Sequence, residues 1–116
     1  MRRIAVALAI AVSVTASASD FDDVFSGRYY WGAEVNSFHP CGEATSYWVS
    51  ASSWVQAPLI ELVKTQAKEP YQPVFVKFRG HLLDEVRDGF AADYDGLIRI
   101  SEILEMSAEL PADCQE

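Results

Sequence analysis

The sequence predicts a mainly β domain with one helix, arranged as a small, partly open barrel of the OB type. Several short segments alternate apolar and polar residues with a period of two, which is typical of half-buried strands. One segment near the middle has helical spacing instead, and a five-stranded OB barrel carries its helix between the third and fourth strands. The length of 116 residues accommodates one domain. An α+β sheet with one packed helix is the alternative.

The first 18 residues have the pattern of a secretory signal peptide. Two arginines precede an apolar run at residues 4–14, and Ala-Ser-Ala at residues 16–18 fits the small-x-small cleavage rule. A membrane helix is the weaker interpretation, because the run is shorter than the roughly 20 residues that span a bilayer. Cleavage after Ala18 would leave a single domain at residues 19–116, located in the periplasm or secreted.

The domain is strongly acidic, and this excludes two classes of partner. The chain has nine Lys and Arg against 17 Asp and Glu. Without Arg2 and Arg3, seven basic residues remain and the net charge is −10. Such a surface repels the phosphates of nucleic acids and of anionic membranes. A cationic ligand, a basic partner or a metal ion stays compatible with it. The other interpretation is that acidity keeps an exported domain soluble.

Aromatic residues dominate the two strands predicted before the helix. Residues 29–38 alternate, with Tyr29 and Trp31 on one face and Tyr30 on the other. Residues 47–51 form a short second strand that is rich in strand-favouring side chains. Together the two strands carry more aromatic side chains than one face can bury.

A single helix is predicted at residues 58–68. Proline fits only the first turn of a helix, so Pro58 marks its start, and prolines at positions 70 and 73 end it. The apolar residues are spaced i, i+3, i+4 and i+8, which forms one stripe for burial: Leu59, Leu62, Val63 and Ala67.

Three further strands are predicted after the helix. Residues 72–82 alternate strictly between apolar and polar side chains. Residues 97–106 form the last strand, after the turn signal Asp95-Gly96. Glu102 interrupts its apolar face, which predicts a bulge or a sheet edge there; that face consists of Ile98, Ile100, Leu104 and Met106. The remaining strand is placed at residues 89–94.

The two cysteines are predicted to form one intramolecular disulfide. An exported domain folds in an oxidising compartment, and Cys41 and Cys114 permit a single pairing. The closed loop is long, so the chain-entropy model gives about 4–5 kcal/mol of stabilisation. A redox-active pair or a pair of soft metal ligands is the functional alternative, but the sequence has no CxxC motif.

Three runs of sequence resemble the C-terminal OB-like domain of the NlpE-type envelope lipoproteins. The runs are GRYYWGAEV at residues 27–35, FHPCG at 38–42 and PVFVKFRG at 73–80, with Cys114 as the closing cysteine. The resemblance implies an OB-like fold and a disulfide between Cys41 and Cys114. It also implies a role in copper homeostasis, surface sensing or envelope-stress signalling.

A copper site is the second functional hypothesis. Imidazole nitrogens and soft sulfur ligands suit copper, and the candidate ligands are His39, His81 and Met106, with Cys41 as a fourth only if its thiol is free. The alternative is that both histidines are ordinary surface residues. His81 also shares a strand face with Lys77 and Arg79, whose charges disfavour a cation.

No catalytic or cofactor motif stands out. The sequence has no nucleophile elbow, no His-Glu-x-x-His and no phosphate-binding glycine loop. We therefore predict a non-catalytic binding or sensing module without a cofactor. A metal-handling accessory protein is one alternative, and a small exported enzyme with a pair of carboxylates is another.

The candidate binding surface is aromatic. An exposed aromatic platform suits a saccharide, a peptide or a partner protein, and OB-like barrels bind ligands on their strand faces. The predicted surface consists of Tyr30, Trp31, Phe38, Trp48 and Trp54. The alternative is that the helix and the C-terminal segment cover both faces.

Overall fold

The structure is a computed structural model that describes residues 22–85 and 87–115. The predicted signal peptide at residues 1–18 lies outside these residues. The elements in chain order are β1 (Asp23–Gly32), β2 (Val35–Pro40), β3 (Tyr47–Ser50), α1 (Ser53–Gln66), β4 (Val74–Leu83) and β5 (Gly96–Ser107), with two 3₁₀ turns at Gly89–Asp93 and Ala112–Cys114.

The five strands form a closed barrel in the order β1-β2-β3-β5-β4. Strand β1 pairs with both β2 and β4, so the ring has no open edge at β1. Neighbouring strands are antiparallel except β3 and β5, which are parallel. The helix α1 lies between β3 and β4 in the chain, as in an OB barrel, whereas the sequence pattern predicts two strands before it. The predicted class, a mainly β OB-like barrel with one helix, is confirmed.

The predicted single strand at residues 29–38 is wrong, because this segment is a hairpin. Gly32 pairs with Val35 across a two-residue loop, and Glu34 in that loop has a φ of 62°. Ala-Glu lacks the Gly or Asn that usually signals such a turn, so the sequence pattern does not reveal it. The hairpin supplies the missing strand, and residues 89–94 are therefore not a strand.

Helix α1 starts earlier than predicted. It runs over Ser53–Gln66, so Pro58 lies inside the helix instead of in its first turn. Proline removes one intrahelical hydrogen bond, and Pro58 lies on the exposed side of the helix. The predicted apolar stripe is confirmed at Leu59 and Val63, which are buried.

The bulge predicted at Glu102 is confirmed. The pairing of β4 with β5 shifts twice, which leaves Ser101 and Leu104 without partners on either side of Glu102. Each extra residue reverses the alternation that follows it. As a result Ile103, and not Leu104, packs against the core, and Leu104 and Met106 are exposed, contrary to the predicted face.

Three phenylalanine rings form the centre of the core. The rings of Phe38 and Phe78 meet edge to face at 4.8 Å between centroids, and Phe25 stacks on Phe78 at 5.5 Å. Gly27 leaves the space for this packing, because a Cβ there would lie 2.7 Å from the Phe38 ring. Burying aromatic rings of this size stabilises the barrel strongly.

A triangle of hydrogen bonds attaches α1 to the barrel. The Tyr29 hydroxyl donates to Oδ1 of Asn36 at 2.6 Å. Nε2 of Gln56 donates to the Tyr29 hydroxyl oxygen at 2.8 Å and to Oδ1 of Asn36 at 2.7 Å. Nδ2 of Asn36 reaches the Val49 carbonyl at 3.4 Å. We call Tyr29, Asn36 and Gln56 the polar triangle. Burial raises the pKa of Tyr29 to about 12, although the hydrogen bond from Gln56 lowers it in part.

The predicted disulfide between Cys41 and Cys114 is confirmed. It joins the end of β2 to the 3₁₀ turn Ala112–Cys114, and the Cα atoms lie 4.6 Å apart. Phe75 pairs with Ser107, where the C-terminal segment begins, and is buried although it is not part of the core cluster. The disulfide therefore anchors the C-terminal segment to the end of β2.

Within residues 22–85 and 87–115, no helix is both long and apolar enough to cross a membrane.

Replacing both cysteines with alanine should lower the free energy of unfolding by about 2–5 kcal/mol, because the bond closes a loop of 73 residues. Urea unfolding of the oxidised protein and of the double variant measures this. Dithiothreitol should destabilise the wild type and leave the double variant unchanged. Equal unfolding midpoints for the oxidised wild type and the variant would contradict this role.

One of the five tyrosines should titrate last, near pH 12, because Tyr29 is buried. Its pKa in the unfolded chain is 10.0, so the unfolded chain loses this proton first. Stability should therefore be unaffected by this group below pH 10 and should fall as the pH rises toward 12. Ultraviolet absorbance of tyrosinate follows the titration.

The control for this assignment is Tyr29→Phe. It should remove the late step and, because Asn36 and Gln56 lose a partner, destabilise the protein by about 1–3 kcal/mol. If all five tyrosines of the folded wild type titrate together near their ordinary pKa, the assignment to Tyr29 is wrong.

Candidate functional site

The outer surface of β3 carries an aromatic cluster. Val49 points into the core, so its neighbour Trp48 points outward. The Trp48 ring lies 5.4 Å from the Tyr94 ring and 6.4 Å from the Phe90 ring, both measured between centroids. Phe90 is 52% exposed. We call Trp48, Phe90 and Tyr94 the Trp48 cluster.

Hydrogen bonds from the strand ends hold this cluster together. The backbone N–H of Ser46, just before β3, donates to Oδ2 of Asp95 at 2.8 Å. The N–H of Asp95 donates to the carbonyl of Ser46 at 2.9 Å. The Arg87 guanidinium donates to the Tyr94 carbonyl. These contacts fix the connection between β4 and β5 against β3, so Tyr94 stays beside Trp48.

The aromatic surface continues across β2 to β1. Ser37 pairs with Trp48 on one side and with Tyr30 on the other, and it is 2% exposed although it lies on the outer face. The ring of His39 lies 4.7 Å from that of Tyr30. The Arg28 guanidinium donates to the Tyr30 hydroxyl at 2.7 Å. Tyr30 and Trp48 therefore flank Ser37 on the outer face, with His39 beside Tyr30.

The charge around the Trp48 cluster is negative. The connection between β4 and β5 carries exposed carboxylates at Asp84, Glu85, Asp88 and Asp93. Its one basic residue, Arg87, keeps its positive charge while it donates to the Tyr94 carbonyl, and the four carboxylates outnumber it. Aromatic faces are themselves electron-rich and attract cations. The cluster and its surroundings therefore favour a positively charged group over a negative one.

The structure separates the five aromatic residues predicted as one surface. Tyr30 and Trp48 share the outer face described above. Trp31 lies on the opposite face and packs against the core. Phe38 is fully buried and forms part of the core, so it presents no surface. Trp54 is 78% exposed, but it lies in the first turn of α1, away from the strands.

Sequence reasoning missed Phe90 and Tyr94 as members of the site. The sequence predicts a strand at residues 89–94, whereas Gly89–Asp93 is a 3₁₀ turn. The turn signal Asp95-Gly96 directly after Tyr94 indicates a loop at this point of the chain. A residue in a loop beside β3 can reach the outer face of that strand. Tyr30 and Trp31 are both partly buried, and of the two it is Trp31 that packs against the core, in agreement with their predicted opposition.

The three predicted copper ligands are not brought together. His39 lies on β2 beside Tyr30, whereas Nδ1 of His81 on β4 lies 2.7 Å from Oδ1 of Asp22. Met106 pairs with Val76, five positions from His81 along β4, which is about 17 Å. Among the described residues, no group of three His, Cys, Asp or Glu side chains could hold a metal ion.

The carboxylates do not form a buried pair within the described residues. Asp22 is the one carboxylate there that is not exposed, and its side chain is bound to His81. The others, such as Glu34 and Glu102, lie on the surface.

Comparisons with family models, with curated proteins and with solved structures find no match to this chain. The resemblance to the NlpE-type domain therefore stays a prediction from the sequence runs quoted above.

Asp95→Ala should loosen the Trp48 cluster, because it removes the carboxylate that accepts the Ser46 N–H. We expect a loss of about 1 kcal/mol in stability and a weaker near-ultraviolet circular dichroism signal from the packed rings. Asp93→Ala is the matched control, since Asp93 is exposed and lies two residues away. Equal signals from both variants would show that Asp95 does not position the cluster.

Proposed function

We propose that this domain is a non-catalytic binding or sensing module of the periplasm. The Trp48 cluster is the observation that carries the proposal. A folded domain usually buries its large aromatic side chains, whereas Phe90 is exposed and Trp48 and Tyr94 are only partly buried. An aromatic group left accessible in this way is typical of a contact surface. In OB-like barrels, the outer strand face and the connection before the last strand commonly form the ligand surface.

Two observations support the location. The sequence begins with a signal-peptide pattern. The disulfide between Cys41 and Cys114 is a bond typical of oxidising compartments such as the periplasm. The resemblance to the C-terminal domain of the NlpE-type lipoproteins points the same way, and a sensing role at the cell envelope agrees with it.

The partner is a basic segment of a protein or peptide. A cation over the Trp48 or Tyr94 ring gains about 0.5–2 kcal/mol, and the acidic connection between β4 and β5 adds attraction. The net charge of −10 at residues 19–116 draws basic partners from a distance. The same charge opposes nucleic acid, whose phosphates it repels.

A pair of short peptides tests this proposal. Titration of ¹⁵N-labelled protein with the blocked peptide Gly-Arg-Gly-Arg-Gly should shift the indole N–H signal of Trp48 to saturation. The peptide in which glutamate replaces both arginines should leave that signal in place. Trp48→Ala should weaken binding of the arginine peptide by about tenfold, because the stacking partner is lost.

The matched control is Trp54→Ala, which removes an exposed tryptophan outside the Trp48 cluster and should leave binding unchanged. Equal binding of both peptides, or full binding by Trp48→Ala, would sink the proposal. A shift caused by chitotriose and by neither peptide would assign the cluster to a saccharide instead.

A further inference from the structure

A concave surface lies at the end of α1, and none of its lining residues belongs to the Trp48 cluster. It is an open groove of about 470 Å³ between the helix, the turn after β1 and the loop before β4. Volumes of this size are typical of sites for small molecules. The groove is lined by Trp31, Gly32, Ala33, Val63, Lys64, Ala67, Lys68, Glu69, Pro70 and Tyr71.

Tyr71 forms one wall of the groove and is held there at a conformational cost. Its φ is 62°, a left-handed value that a bulky residue rarely adopts. Its hydroxyl donates to the Ala33 carbonyl at 3.2 Å. Its ring lies against Gly32, where a Cβ would come within 2.7 Å of the ring. Strained backbone of this kind concentrates at ligand sites.

The rim of the groove is locally basic in an acidic domain. Two of the three lysines of the chain, Lys64 and Lys68, line it, with one carboxylate, Glu69. Lys64 also lies in the last turn of α1, where a cation stabilises the helix dipole. Lys68 lies beyond the end of the helix, so the dipole does not explain it.

We propose that this groove binds a small organic anion with an aromatic body and a single carboxylate. The aromatic body would pack between Trp31 and Tyr71, and the carboxylate would accept hydrogen bonds from Lys64 and Lys68. Apolar lining with a few convergent polar groups is the usual construction of such sites. The proposal goes beyond the function proposed above, because it concerns a separate surface and a ligand of opposite charge.

Two indole probes that differ in charge test the ligand class. Indole-3-acetate and tryptamine share one ring, but the first carries a carboxylate and the second an ammonium group. In titrations of ¹⁵N-labelled protein, indole-3-acetate should shift the backbone signals of Ala67 and Lys68 to saturation. Tryptamine should bind the groove at least about threefold more weakly, as expected for exposed charge pairs.

Charge variants locate the anion site. Lys68→Glu should weaken binding of indole-3-acetate by about threefold or more, and Glu69→Gln should strengthen it. Lys77→Glu is the matched control: it changes the net charge equally, but Lys77 lies on β4 and pairs with Glu105. Equal losses in Lys68→Glu and Lys77→Glu would mean that only the net charge matters, which overturns the site.

A substitution in the groove wall distinguishes binding in the groove from binding at the Trp48 cluster. Gly32→Ala should displace the Tyr71 ring and weaken binding of indole-3-acetate, whereas Trp48→Ala should leave that binding unchanged. Circular dichroism checks that each variant is folded, and Lys68→Glu serves as the second test if Gly32→Ala is not. Absence of saturable shifts with indole-3-acetate, or equal binding of tryptamine, would refute the anion site.

Discussion

The polar triangle is the interaction on which the barrel depends. Asn36 follows the hairpin turn after β1, and its bond to Tyr29 requires both side chains to point inward. Side chains alternate along a strand, so this contact fixes Phe38 in the core and Ser37 on the outside. A slip by one residue would exchange the two faces of β2. Gln56 extends the constraint to α1, because a buried polar group left without a partner costs about 1–3 kcal/mol.

The outer aromatic surface follows from this alternation of inward and outward side chains along β2. With Ser37 outside, the side chains beside it on β1 and β3 are Tyr30 and Trp48. The inward positions of the same strands supply the core ring Phe38. The aromatic side chains of these strands thus divide into one set that stabilises the fold and another set at the surface. The link between Asp95 and Ser46 then places Tyr94 against the outer set.

The sequence predicts those features whose signal is local. Alternation identifies β4, helical spacing identifies the buried face of α1, and Glu102 indicates the irregular pairing of β5. The hairpin after β1 has no such signal, since Glu34 takes a left-handed conformation that Gly or Asn would usually announce. The groove has no local signal either, because the conformation of Tyr71 and its contact with Gly32 depend on residues 39 positions apart.

The electrostatic field of the whole domain affects the two proposed binding surfaces differently. At the Trp48 cluster, the net charge and the nearby carboxylates both attract a basic partner, so salt weakens the long-range and the local attraction together. In the groove, the exposed Lys64 and Lys68 attract an anion that the rest of the domain repels. Salt screens that repulsion as well as the attraction, so its two effects oppose each other there. An acidic domain can therefore hold an anion only where lysines and an apolar wall meet, which is the arrangement at the end of α1.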